Sequence, residues 1–167
     1  MQEELAAIDR AAKEHEKTLS TVRDCDNAMR KLEEIKQEWV PGHPIELEQE
    51  LAKLAKVTKQ LAKELRNHIR FEEHEFLPIL TKYASAIIHR GILFEHKEVL
   101  SSLTDLLKHV GDLGGKELSH DELIVKQSRV KEEIDRILIL VEHHNYTQEV
   151  IFNLAREAVS CELKPDS

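Results

Sequence analysis

The amino-acid sequence predicts an all-α fold, an up-down-up-down antiparallel four-helix bundle that forms one domain over residues 1–167. The composition is the first reason: charged residues make up 34% and hydrophobic residues 41% of the chain, whereas glycine and proline number only 5 and 4, as in helical bundles. The second reason is that hydrophobic residues recur at intervals of three and four in four long segments. The third is that short connections join these segments, which favours antiparallel neighbours.

The first predicted helix covers about residues 2–38 and turns one histidine inward. Its inward stripe consists of Leu5, Ile8, Ala12, His15, Leu19, Val22, Asp26 and Met29. A lone histidine in such a stripe is more often a satisfied core residue than a ligand, so His15 gains meaning only beside other residues. Pro41, Gly42 and Pro44 then predict a turn.

The second predicted helix, about residues 44–83, turns both His68 and Glu72 inward. A buried charge is costly unless it is compensated. A His–Glu hydrogen bond would compensate this pair, and so would a metal ion bound from one helix face. Pro78 removes a backbone donor and predicts a kink just beyond the pair. The inward stripe is expected to resume at Glu75 and Ile79.

The third and fourth predicted helices, about residues 86–110 and 119–160, each contribute one further inward histidine. His96 lies between leucines of the third stripe. Ser119 and Glu122 form a capping-box pattern that starts the fourth helix. The fourth stripe consists of Leu123, Gln127, Val130, Ile134, Ile137, Val141, His144, Gln148, Ile151 and Ala155.

Counting residues from each predicted turn brings the inward histidines to one height in the bundle. His15 and His68 are nearly equidistant from the first turn, centred on Gly42, and Glu72 and His96 from a second turn, centred between Ala84 and Ser85. His144 reaches the same height if the loop after the third helix, residues 111–118, climbs along the bundle. Histidines clustered with a carboxylate at ligand spacing favour a metal site, and imidazole with carboxylate suits iron, manganese or zinc. The aromatic residues expected within about two turns of this height are Phe71, Phe76, Phe94, Tyr146 and Phe152.

The charge and the hydropathy of the chain exclude several other classes of function. A formal net charge of −8 argues against nucleic acid or an anionic membrane surface as a partner. No hydrophobic run reaches the length of a membrane span, and the polar N-terminus is unlike a signal peptide. Cys25 and Cys161 have no metal-type spacing, so we expect a cytoplasmic location. No protein partner can be inferred.

The ordered set of residues resembles the hemerythrin-like, or HHE cation-binding, family over nearly the whole chain. The most specific element is the sequence from His68 to Glu73, with Phe76-Leu77-Pro78 behind it. The resemblance implies a non-haem di-iron centre, bridged by carboxylates, that binds dioxygen, nitric oxide, peroxide or a related small molecule. The ligands that it implies are His15, His68, Glu72, His96 and His144, together with Glu149 as the last, bridging carboxylate.

The sequence departs from the family pattern at the fourth and third helices. Family members often carry Glu four residues after the final histidine, where this chain has Gln148, and Glu149 stands one position further on. In an alternative frame the ligand is His143, but Thr147 then takes the acid position. On the third helix the partner position of His96 is Ile92. Water, His89 or Glu73 could complete the coordination, or the centre could hold one iron instead of two.

Three functions are compatible with this sequence. The first is a binding or sensing protein for a small oxidant, or a protein that handles iron. The second is a redox enzyme at the iron centre, such as a peroxidase, a ferroxidase or a protein that repairs iron centres; the order His-x3-Glu differs from the Glu-x-x-His of ferritin-type oxidases. The third is a metal-free helical interaction module whose histidines form only hydrogen bonds.

Overall fold

The computed structural model describes residues 2–37, 44–82, 85–114 and 118–162. Side chains are described over 2–34, 46–82, 85–114 and 118–157. The predicted turn at 39–43 and the predicted helix ends near 38 and 83 lie outside these ranges.

The described residues are almost entirely helical and include no strand, which confirms the all-α prediction. None of the helices in this part of the chain is long and apolar enough to cross a membrane. The second long helical segment contains one π-helical turn. The elements are α1 (Gln2–Gln37), α2 (Pro44–Phe71), the π turn (Glu72–Phe76), α3 (Leu77–Leu80), α4 (Ala86–Leu113) and α5 (His120–Glu162).

The four long helical segments pack side by side in a closed order. α1 lies against α2 and α5, and α4 lies against the same two helices. Ion pairs show how α1 and α5 are aligned. Successive residues of α1 pair with ever earlier residues of α5. These pairs are Asp9 with Arg156 at 2.9 Å, Arg23 with Glu142 at 3.6 Å and Asp26 with Lys131 at 2.8 Å.

A buried polar layer divides the hydrophobic core into two clusters. On α1 the smaller cluster contains Ile8 and Ala11, and the larger begins at Val22. On α5 the larger cluster ends at Val141 and the smaller begins at Ile151. Each helix therefore crosses the same layer, where hydrophobic packing gives way to histidines and one glutamate.

The π turn corrects the predicted register beyond Glu72. The backbone N–H of Leu77 bonds to the carbonyl of Glu72, five residues earlier, so the turn contains one residue more than an α-helical turn. Pro78 follows directly; its ring would crowd the carbonyl four residues back in a regular α-helix. As a consequence Glu75 is exposed and Ile79 only half-buried, contrary to the predicted stripe. The inward positions are Phe76, Leu77 and Leu80.

The start of α5 follows the predicted capping box. Glu122 Oε2 accepts hydrogen bonds from the Ser119 backbone N–H at 3.0 Å and from its hydroxyl at 2.7 Å. The third predicted helix corresponds to α4. Its predicted end near residue 110 is too early, because α4 continues through Gly111 and ends with the buried Leu113. Lys126 Nζ donates to the Asp112 carbonyl at 2.9 Å, so the first turn of α5 extends past the end of α4. On the side of the polar layer that holds the larger hydrophobic cluster, α5 is therefore longer than α4.

Candidate metal centre

Five predicted site residues meet in the polar layer: His15, His68, Glu72, His96 and His144. Their exposed fractions are between 0% and 5%. His15 comes from α1, His68 and Glu72 from the second helical segment, His96 from α4 and His144 from α5. The inward periodicity of four separate helices therefore produces one buried cluster.

The Glu72 carboxylate stands at the centre and has two histidines on each side. Its Oε1 lies 3.1 Å from His15 Nε2 and 3.3 Å from His68 Nε2. Its Oε2 lies 2.8 Å from His96 Nε2 and 3.2 Å from His144 Nε2. Both carboxylate oxygens thus face imidazole nitrogens of the type that ligates metals.

Four of these residues form a group that could hold a metal ion. One ligand atom from each of His15, His68, Glu72 and His144 lies within 4.8 Å of all the others. Imidazole nitrogen combined with carboxylate oxygen suits iron, manganese and zinc. The geometry is therefore compatible with a metal-binding helical protein, without identifying the metal.

Three of the four histidines also contact a second, outer carboxylate through Nδ1. Glu14 Oε2 lies 3.3 Å from His68 Nδ1. Glu73 Oε1 lies 3.0 Å from His96 Nδ1, and Glu95 Oε2 lies 2.9 Å from His144 Nδ1. Such contacts fix the orientation of a metal-binding imidazole and raise its basicity as a ligand.

The outer carboxylates follow a regular order around the four helices. Glu14 is next to His15 in the sequence but contacts His68 of the following helical segment. In the same way Glu73, next to Glu72, contacts His96 of α4. Glu95, next to His96, contacts His144 of α5. Asn145 of α5 ends the order, because its amide donates to the His15 carbonyl at 3.4 Å rather than to the ring. Glu14 and Glu95 were not predicted as site residues; the available signal was an acid directly before His15 and directly before His96 in the sequence.

This double contact makes a cation in the cluster physically reasonable. A neutral imidazole carries one N–H and can donate to only one carboxylate. If Nδ1 of His96 donates outward to Glu73, its Nε2 lone pair faces Glu72 Oε2 at 2.8 Å. Two lone pairs at that distance repel unless a proton or a metal ion lies between them. His144 and His68 are in the same situation.

The pKa values of Glu72, His15 and His144 are shifted in the metal-free cluster. Burial opposes ionisation of Glu72, but the charge of His68 and hydrogen bonds from the other three histidines hold its pKa well below the usual value. Burial acts to lower the pKa of His144, but hydrogen bonds to two carboxylates raise it to about 9. Burial lowers the pKa of His15, and Glu72 offsets only part of this effect. A proton on His144 therefore compensates the Glu72 charge when no metal is bound.

The structure does not bring Glu149, the predicted bridging acid, into the cluster. Glu149 is exposed, because one residue turns a helix by about 100° and Gln148 already takes the inward position. Gln148 has 0% exposure, and its Nε2 donates to Glu72 Oε2 at 2.9 Å. Between the two adjacent histidines, His144 is buried, whereas the side chain of His143 is 68% exposed and lies 3.4 Å from Glu95.

The other predicted contributors lie around the cluster rather than within it. His89 is half-buried and does not join the group, and Ile92 packs in the smaller hydrophobic cluster. Of the five aromatic residues expected near the site, Phe94 and Tyr146 are exposed at 64% and 71%. The other three belong to the smaller hydrophobic cluster: Phe71, Phe76 and Phe152. The Phe152 ring stacks on the His15 ring with centroids 5.4 Å apart.

A small cavity and a wider groove adjoin the cluster on different sides. The cavity, of about 10 Å³, touches three of the imidazoles and is otherwise lined mainly by Leu65, Ile69, Val99 and Val141. It has room for a molecule about the size of water. The groove, of about 590 Å³, opens between α1 and α2 and reaches His68 and Glu14. The cluster is therefore buried but has one imidazole near an open surface.

Comparisons of the chain with models of protein families, with curated proteins and with solved structures found no match. The function of this protein is therefore inferred from its own residues and their geometry.

Proposed function

We propose that this protein is a hemerythrin-like, non-haem di-iron-binding protein of the cytoplasm, which binds or senses dioxygen, nitric oxide or another small oxidant, or handles iron. The proposal includes an up-down-up-down antiparallel four-helix bundle. The order of the ion pairs between α1 and α5 supports opposite directions for these two helices. Glu14 with His68 and Thr21 with Glu64 support the same relation between α1 and α2.

The observation that carries the proposal is the position of Glu72 between two pairs of histidines. His15 and His68 face Oε1, whereas His96 and His144 face Oε2. A carboxylate can bind one cation through each oxygen, so the two pairs would hold two ions that share Glu72. The outer carboxylates support this assignment, because they hold the rings with Nε2 directed inward.

The donor set suits iron, and the adjoining cavity suits a very small ligand. Imidazole and carboxylate are the ligands of non-haem iron proteins, and iron, when bound, supplies one-electron chemistry and a site for a small ligand. The residues of the chain restrict what can approach. Leu65, Val99 and Val141 line a cavity of about 10 Å³, which excludes any molecule much larger than water or a diatomic gas.

Metal analysis of two neighbouring histidine variants tests this function. We expect wild-type protein that is loaded anaerobically with ferrous iron and then desalted to retain two irons per chain, and to absorb in the near-ultraviolet once exposure to air has oxidised the iron. His144→Ala should lose iron because it removes a cluster nitrogen. His143→Ala is the matched control, since the adjacent imidazole is 68% exposed, and it should retain wild-type iron.

Two results would contradict the proposal. Wild-type protein that retains no iron after loading would make the cluster a hydrogen-bonded core network instead. Equal iron retention in wild type, His144→Ala and His143→Ala would locate any bound iron elsewhere on the chain.

A further inference from the structure

Gln148 is fully buried at the centre of the cluster, yet only half of its amide has a partner. Its Nε2 donates to Glu72 Oε2 at 2.9 Å, whereas its Oε1 accepts no hydrogen bond from the described residues. A buried acceptor without a donor is energetically unfavourable. The oxygen therefore lies at the site without the partner that its burial requires.

The two ends of the amide can exchange places by a half turn about its terminal bond. In the metal-free cluster the nitrogen must face Glu72, because a carboxylate oxygen only accepts hydrogen bonds. A cation beside Glu72 Oε2 reverses this preference, since it attracts the amide oxygen and repels the amide protons. The position now taken by Nε2 is thus suited to a ligand oxygen in the metal-bound protein.

We propose that Gln148 is a metal ligand through its side-chain oxygen, on the Oε2 side of Glu72 with His96 and His144, and that its neutrality makes the centre prefer divalent over trivalent cations. This inference rests on the proposed function, because it assumes that the cluster binds metal. It names a ligand and a selectivity that the resemblance does not imply, since the resemblance calls for an acid.

The charge of the cluster is the reason for the selectivity. Glu72 is the only carboxylate among the buried side chains of the described residues. The outer carboxylates Glu14, Glu73 and Glu95 are partly exposed and contact imidazoles. A carboxylate in place of the Gln148 amide would add a full negative charge beside the cation, where the low dielectric strengthens its effect. Without that charge, a third positive charge on the metal is poorly compensated.

Gln127 provides a matched control on the same helix. It is another glutamine of the inward α5 stripe with 1% exposure, and neither of its amide atoms has a hydrogen-bond partner among the described residues. It lies 21 residues earlier, about 31 Å along the helix. Its stripe neighbours Leu123 and Val130 belong to the larger hydrophobic cluster. A change at Gln127 therefore tests the effect of removing a buried amide without changing the metal centre.

The experiment measures affinities for Zn²⁺ and Ga³⁺, two ions that do not change oxidation state, by competition with a chromophoric chelator. We expect Gln148→Leu to weaken Zn²⁺ binding by about tenfold or more, because even the loss of an outer partner of a metal ligand costs about this much. Gln148→Glu should raise the affinity for Ga³⁺ relative to Zn²⁺ by at least about tenfold. Gln127→Leu should leave both affinities at the wild-type value. Circular dichroism verifies folding, and Gln148→Glu keeps the shape of the side chain if the leucine variant does not fold.

The outcomes separate this inference from the proposed function. If His144→Ala loses Zn²⁺ while Gln148→Leu binds it as wild type does, the cluster is a metal centre and Gln148 is not a ligand. If Gln148→Leu weakens binding but Gln148→Glu leaves the ratio of the two affinities unchanged, the selectivity is overturned. Wild-type protein that binds neither ion overturns both proposals.

Discussion

At the scale of single residues, the cluster depends on the charge of Glu72. This carboxylate has no exposed surface, and in water it would be surrounded by solvent. Its burial is tolerated because four imidazole nitrogens and the Gln148 amide surround its two oxygens. The same arrangement links the protonation states of the histidines. If one histidine loses its positive charge, another histidine or a metal ion must supply it, because the negative charge of Glu72 stays buried.

His144 makes the stability of the metal-free protein depend on pH in a defined direction. Its pKa in the folded protein is raised to about 9, above the usual 6.5. Its contribution is therefore fully present below pH 6.5 and is lost as the pH rises through about 9. We expect the free energy of unfolding, measured by urea titration with a chelator present, to fall across this window by up to about 3 kcal/mol.

Two variants identify the residue responsible for this pH dependence. His144→Gln should reduce the slope between pH 6.5 and 9, whereas His143→Gln should keep it. His15 acts in the opposite direction and only at the low end of this window, because its pKa is lowered in the folded protein while the unfolded imidazole loses its proton around the usual 6.5. An equal slope in the His144 variant would assign the effect to other groups.

The sequence predicts inward residues better than it predicts their chemical partners. His15, His68, Glu72, His96 and His144 could be placed from helical periodicity, because one face of each helix must be buried. The resemblance in spacing predicted Glu149 as the inward acid, whereas the helical stripe contained Gln148, one residue earlier. A shift of one residue decides which side chain faces inward, and the structure buries Gln148.

At the scale of elements, the sequence predictions agree best with the structure where a helix is regular. All ten positions of the predicted α5 stripe are buried. The capping box at Ser119 forms as its sequence pattern indicates. The second helical segment differs, because Pro78 predicts an interruption but not its form. A π turn adds one residue and rotates the following side chains, which no count based on α-helical spacing can include.

The π turn makes Phe76 a core residue, and this assignment can be tested by mutation. Its ring is fully buried and lies edge-on to Phe152, with centroids 5.0 Å apart. We expect Phe76→Ala to lower the free energy of unfolding by about 3–5 kcal/mol, as large cavities do. Phe94→Ala is the control with the same substitution at 64% exposure, and it should cost about 0.5 kcal/mol or less.

Ile79 distinguishes the observed register from an uninterrupted α-helix. In the regular register Ile79 faces inward, whereas in the structure it is only half-buried. Urea titrations should therefore rank Phe76→Ala well above Ile79→Ala in lost stability. The reverse ranking would contradict the π turn.

At the scale of the whole molecule, the polar layer separates two hydrophobic clusters that every long helix crosses. The larger cluster extends from Val22 to Val141 and includes residues of all four segments. The smaller cluster lies beyond the layer and has far fewer members. A ligand that joins the four helices at this boundary would therefore add most to the half of the molecule with the smaller core.

Metal binding should consequently stabilise the whole fold. An ion that binds only the folded state adds about 2.7 kcal/mol when its free concentration is 100 times its dissociation constant. For a chain of this size, that corresponds to a rise in melting temperature of roughly 5–10 °C. We expect this rise when metal-free protein is titrated with Zn²⁺ in a calorimeter, and a chelator should reverse it. His144→Ala should show little of the rise, whereas His143→Ala should show all of it, because only His144 reaches Glu72. A rise of equal size in both variants would mean that surface groups bind the ion, and the boundary between the two hydrophobic clusters would then be held by hydrogen bonds alone.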